Sequence, residues 1–150
     1  MGIVNEMRLD FLSRPANEAF ARMVISAFIL PLNPTLEQLG DVKTSVSEAV
    51  TNAVVHAYGE NSGTIRMKAT LSELGELMVE IIDNGCGIRD IQQARQPFFT
   101  TMEAAERSGM GFTVMESFMD SVRVVSEPGR GTTVRMTKQI LAPHELAREA

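Results

Sequence analysis

Residues 47–56 read Ser47-Glu48-Ala49-Val50-Thr51-Asn52-Ala53-Val54-Val55-His56. Glu48, Asn52 and His56 recur at every fourth residue, so in a helix of about 100° per residue they share one face within about 80°. The apolar positions of the same segment fall on the opposite side, which is typical of a helix packed on a core. A solvated helix face would give the same pattern. The stretch therefore predicts a helix that presents a carboxylate and an amide oxygen, and a second signal must decide whether they form a site.

A glycine-rich segment further along the chain supplies that second signal. Asp83 follows the apolar residues of a predicted strand and is followed at once by Gly85 and Gly87. Asp-Asn-Gly is also common turn chemistry, so a simple turn is the alternative. In the functional interpretation Asp83 presents its carboxylate to the amino group of a nucleotide base. Gly85 and Gly87 would then let the backbone approach the ligand without a Cβ atom in the way.

Two further glycine clusters follow in the order that a nucleotide site needs. Gly109 and Gly111 open a predicted helix within the segment Arg107-Ser108-Gly109-Met110-Gly111-Phe112. Backbone N–H groups exposed at the start of a helix form an anion site. Gly131 and Thr132 begin the last predicted strand, where the threonine hydroxyl is expected beside the same base. The four motifs together indicate a nucleotide site more strongly than any one of them alone.

Composition limits the class of protein. A chain of 150 residues with 44% hydrophobic and 22% charged residues is expected to form one domain spanning 1–150, with a short tail at about 141–150. The net charge of −5 argues against a direct nucleic-acid partner, because such proteins carry basic patches. The single cysteine excludes a disulfide framework within the chain, and no segment approaches the roughly 20 apolar residues of a membrane span. We expect a cytoplasmic protein that has no membrane partner.

The periodicity of the apolar residues predicts an α+β fold with helices on one face of a largely antiparallel sheet. Strands are expected at 7–11, 64–71, 77–83, 121–127 and 132–140, and helices at about 17–31, 35–58, 91–95 and 110–119. Thr35 and Gln38 form a candidate capping box for the second helix, and Asn17 is a candidate cap for the first. The expected core residues of the last helix are Phe112, Met115, Phe118 and Met119.

The first predicted helix is apolar on two sides. Helical spacing predicts a core stripe formed by Phe20, Met23, Val24, Ala27 and Phe28. The opposite face would then expose Arg22 beside Ile25 and Ile29, a mixed patch of the kind that interfaces favour. An i, i+4 ion pair with Glu18 is the alternative reason for the arginine. We expect Arg22 to contact a partner.

The order of these motifs resembles the GHKL ATP-binding superfamily. Its N, G1 and G2 boxes are similar to Glu48-x-x-x-Asn52, Asp83-x-Gly85-x-Gly87 and Gly109-x-Gly111, with Gly131-Thr132 downstream. Within that superfamily the chain looks like the sporulation anti-sigma factors, through the segments Asn17-Glu18-Ala19-Phe20-Ala21-Arg22, Ser47-Glu48-Ala49-Val50-Thr51-Asn52-Ala53, Ala94-Arg95-Gln96-Pro97 and Glu106-Arg107-Ser108-Gly109-Met110-Gly111-Phe112. The resemblance covers nearly the whole chain and implies a two-layer α/β sandwich of the Bergerat type, with a mixed, mostly antiparallel sheet.

The same resemblance implies an ATP- and Mg²⁺-dependent protein serine kinase. Such a protein sequesters a sporulation sigma factor as a homodimer and phosphorylates a serine of an anti-anti-sigma factor. Glu48 would be the general base, Asn52 the magnesium ligand and Arg22 a contact to partners. Carried onto matching positions, the ATP-binding residues would be Asn52, Asp83, Gly85, Gly87, Ile88, Thr100, Thr101, Arg107, Ser108, Gly109, Met110, Gly111, Phe112 and Thr132.

Other functions remain open on the residues alone. Glu-x-x-x-Asn also occurs in hydrolytic members of the superfamily, so Glu48 does not decide whether serine or water is the acceptor. A module that uses ATP only as a conformational ligand, without phosphotransfer, would need the same pocket. The ATPase core of a histidine kinase or gyrase-like machine would need a further domain, for which 150 residues are expected to leave no room. An α+β domain without a nucleotide is the remaining alternative.

Overall fold

The computed structural model describes residues 2–59, 61–87 and 111–140. In chain order its elements are β1 (Ile3–Leu12), α1 (Ala16–Ile29), α2 (Leu36–Asn52), β2 (Thr64–Ser72), β3 (Glu76–Asp83), α3 (Gly111–Phe118), β4 (Ser121–Glu127) and β5 (Gly131–Gln139). A 3₁₀ turn at Leu30–Leu32 follows α1, and a π-helical turn at Ala53–Ala57 follows α2. The predicted order of strands and helices is confirmed within these ranges.

The five strands form one sheet in the order β1-β2-β3-β5-β4. All four pairings are antiparallel, so the sheet is antiparallel where a mixed one was expected. Alternate residues of β2 show which face is covered: Ile65, Met67 and Ala69 are fully buried, whereas Arg66 between them is exposed. The core therefore lies between one face of the sheet and the helices, and the α+β sandwich is confirmed.

The predicted capping box starts α2. The Gln38 backbone N–H donates to the Thr35 hydroxyl at 3.0 Å, and the Thr35 N–H donates to the Gln38 side chain at 2.9 Å. Two donors that the helix itself cannot satisfy are paired in this way. Further along the helix, Val42, Val46 and Val50 are fully buried against the sheet. The apolar face of α2 thus lies where the helical wheel predicts it, and its polar face is turned away from the core.

The predicted orientation of α1 is wrong. Ile25 and Ile29, expected on the exposed face, are fully buried, whereas Phe20 and Met23 are 48% and 71% exposed. The reason is that Glu18, the ion-pair partner of Arg22, accepts a hydrogen bond from Ser47 of α2, so the polar pair does not mark the outer face. A helix that is apolar on two sides cannot be oriented from periodicity when its polar residues are used in packing. The mixed patch of Arg22 with Ile25 and Ile29 therefore does not exist.

Two smaller predictions also fail. Asn17 lies inside the first turn of α1 and donates its side-chain N–H to the Leu12 carbonyl at 2.8 Å, so it does not cap the helix. In α3, Phe112 and Met115 are buried as predicted, but Phe118 is 37% exposed. The predicted helix at 91–95 and the tail at about 141–150 lie outside the described residues. In the part of the chain that the structure describes, no helix is long and apolar enough to cross a membrane.

Candidate functional site

Asp83 lies at the carboxyl end of β3, on the face of the sheet that the helices cover. Only 7% of the residue is exposed. Its carboxylate accepts the Gly85 backbone N–H at 2.9 Å and also the N–H of Thr132, which is its cross-strand partner on β5. Burial raises the pKa of Asp83 above the ordinary value of 3.8, and the two backbone donors oppose that rise. The two oxygens of an ionised carboxylate can accept about four hydrogen bonds, so the Asp83 side chain can accept a further hydrogen bond from a ligand.

Backbone hydrogen bonds join the loop after Asp83 to two other segments of the chain. The Cys86 N–H donates to the carbonyl of Ala57, in the π-helical turn, at 2.6 Å. The Cys86 carbonyl accepts the Gly129 N–H, from the β4–β5 turn, at 2.7 Å. Tyr58 supports the same loop, since its hydroxyl accepts the Asn84 N–H at 2.9 Å. The backbone of a single residue, Cys86, therefore joins the loop after β3 to the π-helical turn after α2 and to the β4–β5 hairpin.

Three glycines make this convergence possible. A Cβ at Gly85 would lie 2.1 Å from the Ala57 carbonyl oxygen, and one at Gly131 would lie 2.1 Å from that of Asp83. Gly87 has φ +76°, and a Cβ there would lie 2.1 Å from the Glu127 carbonyl oxygen. The sequence predicts that Gly85 and Gly87 are places of close approach to a ligand. The structure gives Gly85 and Gly87 a different reason, because both are needed for packing against the chain's own backbone.

The helix that carries the polar face is not uniform. It is α-helical to Asn52 and then changes to a π-helical turn over Ala53–Ala57. The wider turn shifts every later residue around the axis, so His56 does not keep the angle predicted from about 100° per residue. The carbonyl of His56 accepts the Cys86 thiol at 3.0 Å. The predicted common face of Glu48, Asn52 and His56 therefore holds for the first two, and His56 supports the loop through its backbone.

Glu48 and Asn52 are both half-buried and lie one turn apart on α2. Glu48 also lines a groove of about 570 Å³ between α1 and α2. The residues that share this groove with it are Glu18, Arg22, Gly40, Lys43, Thr44, Ser47 and Thr51. Sequence reasoning missed this set, although five of its members recur at helical spacing along α2 as a stripe of small and polar residues. Glu48 thus borders an open groove whose other lining residues are polar or small.

Glu18 connects the two walls of the groove. Its Oε1 atom accepts the Arg22 guanidinium at 3.0 Å and the hydroxyl of Ser47, the residue before Glu48. The Arg22 side chain is still 40% exposed. The ion pair expected as the alternative is therefore present, and it leaves part of the arginine accessible. Arg22 lies at the edge of the groove rather than in an apolar patch.

The remaining predicted site residues divide into two groups. Gly111 and Phe112 begin α3 and are buried, and Thr132 contacts Ser126 through a hydroxyl pair at 2.8 Å. The other predicted ATP-binding residues, Ile88, Thr100, Thr101, Arg107, Ser108, Gly109 and Met110, lie outside the described residues. Among residues 2–59, 61–87 and 111–140, no group of three acidic, histidine or cysteine side chains is placed to hold a metal ion.

The class of protein follows from a comparison of the sequence with known families, which identifies a histidine kinase-like ATPase domain. The sequence profile of the histidine kinase-like ATPase domain matches residues 11–138. The RsbU and RsbW domains of a Mycobacterium tuberculosis protein superpose with a TM-score of 0.67 at 19% identity, over 91% of this chain and 33% of that one. The histidine kinase domain of a blue-light activated kinase from Erythrobacter litoralis superposes with a TM-score of 0.57 at 18% identity, over 88% of this chain and 64% of that one. These two similarities concern the fold.

Sequence relatives narrow the assignment. The anti-sigma F factor of Thermoanaerobacter sp. is 53% identical over 140 residues, which are 93% of this chain and 97% of that protein. The anti-sigma F factor of Pasteuria penetrans is 50% identical over 144 residues, which are 95% and 96% of the two chains. The chain belongs to the family of anti-sigma F factors.

Two alanine variants test the packing of the loop after Asp83. Gly87 and Gly129 have similar φ angles, +76° and +80°, but a Cβ at Gly129 would meet nothing within 4 Å. Gly129→Ala should cost about 1 kcal/mol of unfolding free energy, for the left-handed backbone alone. Gly87→Ala should cost at least about 1 kcal/mol more, because the Glu127 carbonyl must move. Urea denaturation of both variants measures the difference, and equal losses would contradict the close approach.

Asp83→Asn tests the cost of the buried charge. Because the pKa of Asp83 is raised in the folded state, the folded protein binds the proton more tightly than the unfolded chain. The unfolding free energy of the wild type, relative to that of Asp83→Asn, should therefore rise as the pH is lowered, and should level off below 3.8. Urea denaturation of both proteins between pH 7 and the acid limit of reversible folding measures this trend. A relative stability that falls with falling pH would contradict it.

Proposed function

We propose that this protein is an ATP-dependent serine kinase that also binds a sigma factor and withholds it from transcription. Its second protein partner would be an anti-anti-sigma factor, which receives the phosphoryl group. Membership of the anti-sigma F factor family supports the sigma-factor partner. The observation that carries the kinase proposal is the position of Glu48, half-buried beside Asn52 and open to a groove large enough for a protein segment.

The proposed adenine site is formed around Asp83. A buried carboxylate that already accepts two backbone N–H groups is held rigidly and can accept one more hydrogen bond, from the amino group of a purine. Thr132 brings a hydroxyl to the same end of the sheet. Gly85 and Gly87 let the loop backbone approach the end of α2 and the β4–β5 turn, so contacts within the chain position the loop beside Asp83. The phosphates would extend from this site toward Asn52.

Asn52 is the proposed magnesium ligand. Its amide oxygen is the neutral, hard donor that Mg²⁺ accepts together with waters and nucleotide phosphates. When bound, Mg²⁺ would neutralise phosphate charge. Asn52 would thereby fix the triphosphate one helical turn from Glu48.

Glu48 is the proposed general base. In the transfer step the serine Oγ forms a bond to the γ-phosphorus while the bond from that phosphorus to the β–γ bridging oxygen breaks. The serine proton passes to the Glu48 carboxylate, and ADP leaves with the bridging oxygen. Phosphoryl transfer depends mainly on positioning and on charge stabilisation, which a helix anchored in the core can supply. The same carboxylate would orient a water molecule if the protein were a hydrolase.

A homodimer is the proposed oligomeric state, with α1 at the interface. Phe20 and Met23, on the outer face of α1, are 48% and 71% exposed, and Leu30 follows them at 56%. These side chains recur at helical spacing and form one stripe of exposed apolar residues. They replace Ile25 and Ile29 as the apolar part of the partner surface, and Arg22 lies next to them on the same helix. A stripe of this kind is suited to a second copy of the chain or to the sigma factor.

Glu48→Gln tests the kinase proposal against its two alternatives. The amide cannot accept the serine proton, so the rate of phosphotransfer from ATP to the anti-anti-sigma factor should fall by about 10²- to 10⁴-fold. Affinities for ATP and for both partners should stay within about twofold. Transfer of radiolabel from γ-labelled ATP to serine measures the rate. Glu37→Gln, in the exposed first turn of the same helix, is the matched control and should transfer at the wild-type rate.

The other possible results of this phosphotransfer assay would support different functions. Undiminished transfer by Glu48→Gln would show that Glu48 is not the base. Free phosphate without labelled serine in the wild type would favour an ATPase. Partner binding that depends on ATP without release or transfer of phosphate would favour the conformational module.

Met23→Glu tests the proposed dimer surface. A carboxylate in the middle of the apolar stripe should weaken self-association by at least about tenfold, because a charge would be buried without a partner. Sedimentation equilibrium with and without ATP measures the association constant. Leu36→Glu is the control, since Leu36 is 87% exposed and lies at the start of α2. Equal weakening by both variants, or by neither, would contradict the interface.

A further inference from the structure

The groove between α1 and α2 has features that the fold itself does not require. It has a volume of about 570 Å³, within the range of about 300–1,000 Å³ that ligand pockets occupy. Its lining includes the hydroxyls of Thr44, Ser47 and Thr51 along α2, and Glu48 lies beside them. Hydroxyls spaced along a groove can exchange hydrogen bonds with the backbone of an extended segment. The groove therefore offers polar partners to a peptide that reaches Glu48.

Gly40 supports a need for open space in this groove. It lies in the interior of α2, where glycine costs about 1 kcal/mol of stability relative to alanine. Its φ is not in the left-handed region, and a Cβ there would meet nothing within 4 Å. Neither the backbone nor internal packing therefore calls for glycine. The missing side chain instead leaves the end of the groove away from Glu48 unobstructed.

Lys43 gives the groove a cation available to a ligand. It is half-buried, and in the described ranges its ammonium forms no ion pair. Arg22, the other cation in the lining, is already paired with Glu18. Lys43 lies five residues before Glu48 on α2, which is about 7.5 Å along the helix axis. The two residues are also about 140° apart around the axis, so their side chains are further apart than this rise, and an extended chain covers the distance in about two to three residues.

We propose that this groove binds the acceptor segment of the protein substrate, with the acceptor serine at Glu48 and an acidic side chain, about two to three residues away, at Lys43. This inference rests on the proposed kinase function and names the substrate feature that the same site selects. The charge of Lys43 sets the position of the serine along α2, and the absence of a side chain at Gly40 lets the segment pass. Lys43 is a specificity-determining residue and does not touch the reacting atoms.

Charge reversal at Lys43 tests the proposal with the full-length protein and a purified anti-anti-sigma factor. Lys43→Glu should raise the KM for that substrate, and its Kd by calorimetry, by about tenfold, because the acidic side chain would face a like charge. The kcat and the Kd for ATP should stay within about twofold. A substrate variant with lysine in place of the acidic residue nearest the acceptor serine should recover at least half of the lost affinity toward Lys43→Glu.

Steric variants give a second readout. Gly40→Leu should raise the substrate KM by a similar factor by filling the groove, and Gly40→Ala, which adds a single methyl group, should raise it less. Lys68→Glu, on the sheet face away from the helices, is the matched charge control and should leave KM unchanged.

The proposal is overturned if Lys43→Glu leaves the substrate Kd unchanged, if Lys68→Glu raises it equally, or if the lysine-bearing substrate recovers nothing. Failure of the kinase function looks different, since the wild type itself would then transfer no phosphate. In that case the Kd measurements alone still decide whether Lys43 and Gly40 form the binding groove.

Discussion

The backbone of Cys86 is the point on which the rest of the candidate site depends. Its N–H and carbonyl join the end of α2 to the β4–β5 turn, and three glycines allow the chains to approach so closely. Asp83 and Asn52 belong to elements that are far apart in the sequence, and this junction sets the position of one element against the other. A larger residue at Gly85 would push the loop away from the Ala57 carbonyl. The position of the loop beside Asp83 would then change, although the new side chain would touch no ligand.

Much of the fold could be predicted because, in most segments, the spacing of apolar residues fits only one kind of element and one buried face. Buried residues alternate along most of β2, and the capping box of Thr35 and Gln38 marks the start of α2 at the predicted residue. The prediction failed for α1, where the sequence offers two apolar faces. In α1 either face could have formed the core, and the decision depended on a contact of Glu18 with another helix, which local periodicity does not contain. The packing of Ile25 and Ile29 is therefore a tertiary effect.

The candidate site was predictable by residue type more than by geometry. Asp83 and the glycines follow from spacing, but the reason for Gly85 and Gly87 is the approach of other backbone segments, which only the folded chain shows. The π-helical turn was not predictable from a wheel that assumes one rotation per residue, and it displaces His56 from its expected place. The groove was visible as a polar stripe on α2, yet its second wall comes from α1.

The single oxygen of Glu18 that accepts both Arg22 and Ser47 has a thermodynamic consequence. A ligand that drew the arginine away would remove one of the two donors that the described residues supply to that oxygen, so a change at α1 would alter the energy of the contact with α2. Linkage requires the reverse as well: whatever changes the serine's bond changes the affinity of the arginine for its ligand by the same factor. Binding of a ligand to Arg22 and any change at Ser47, the residue before Glu48, would therefore be coupled through the Glu18 carboxylate.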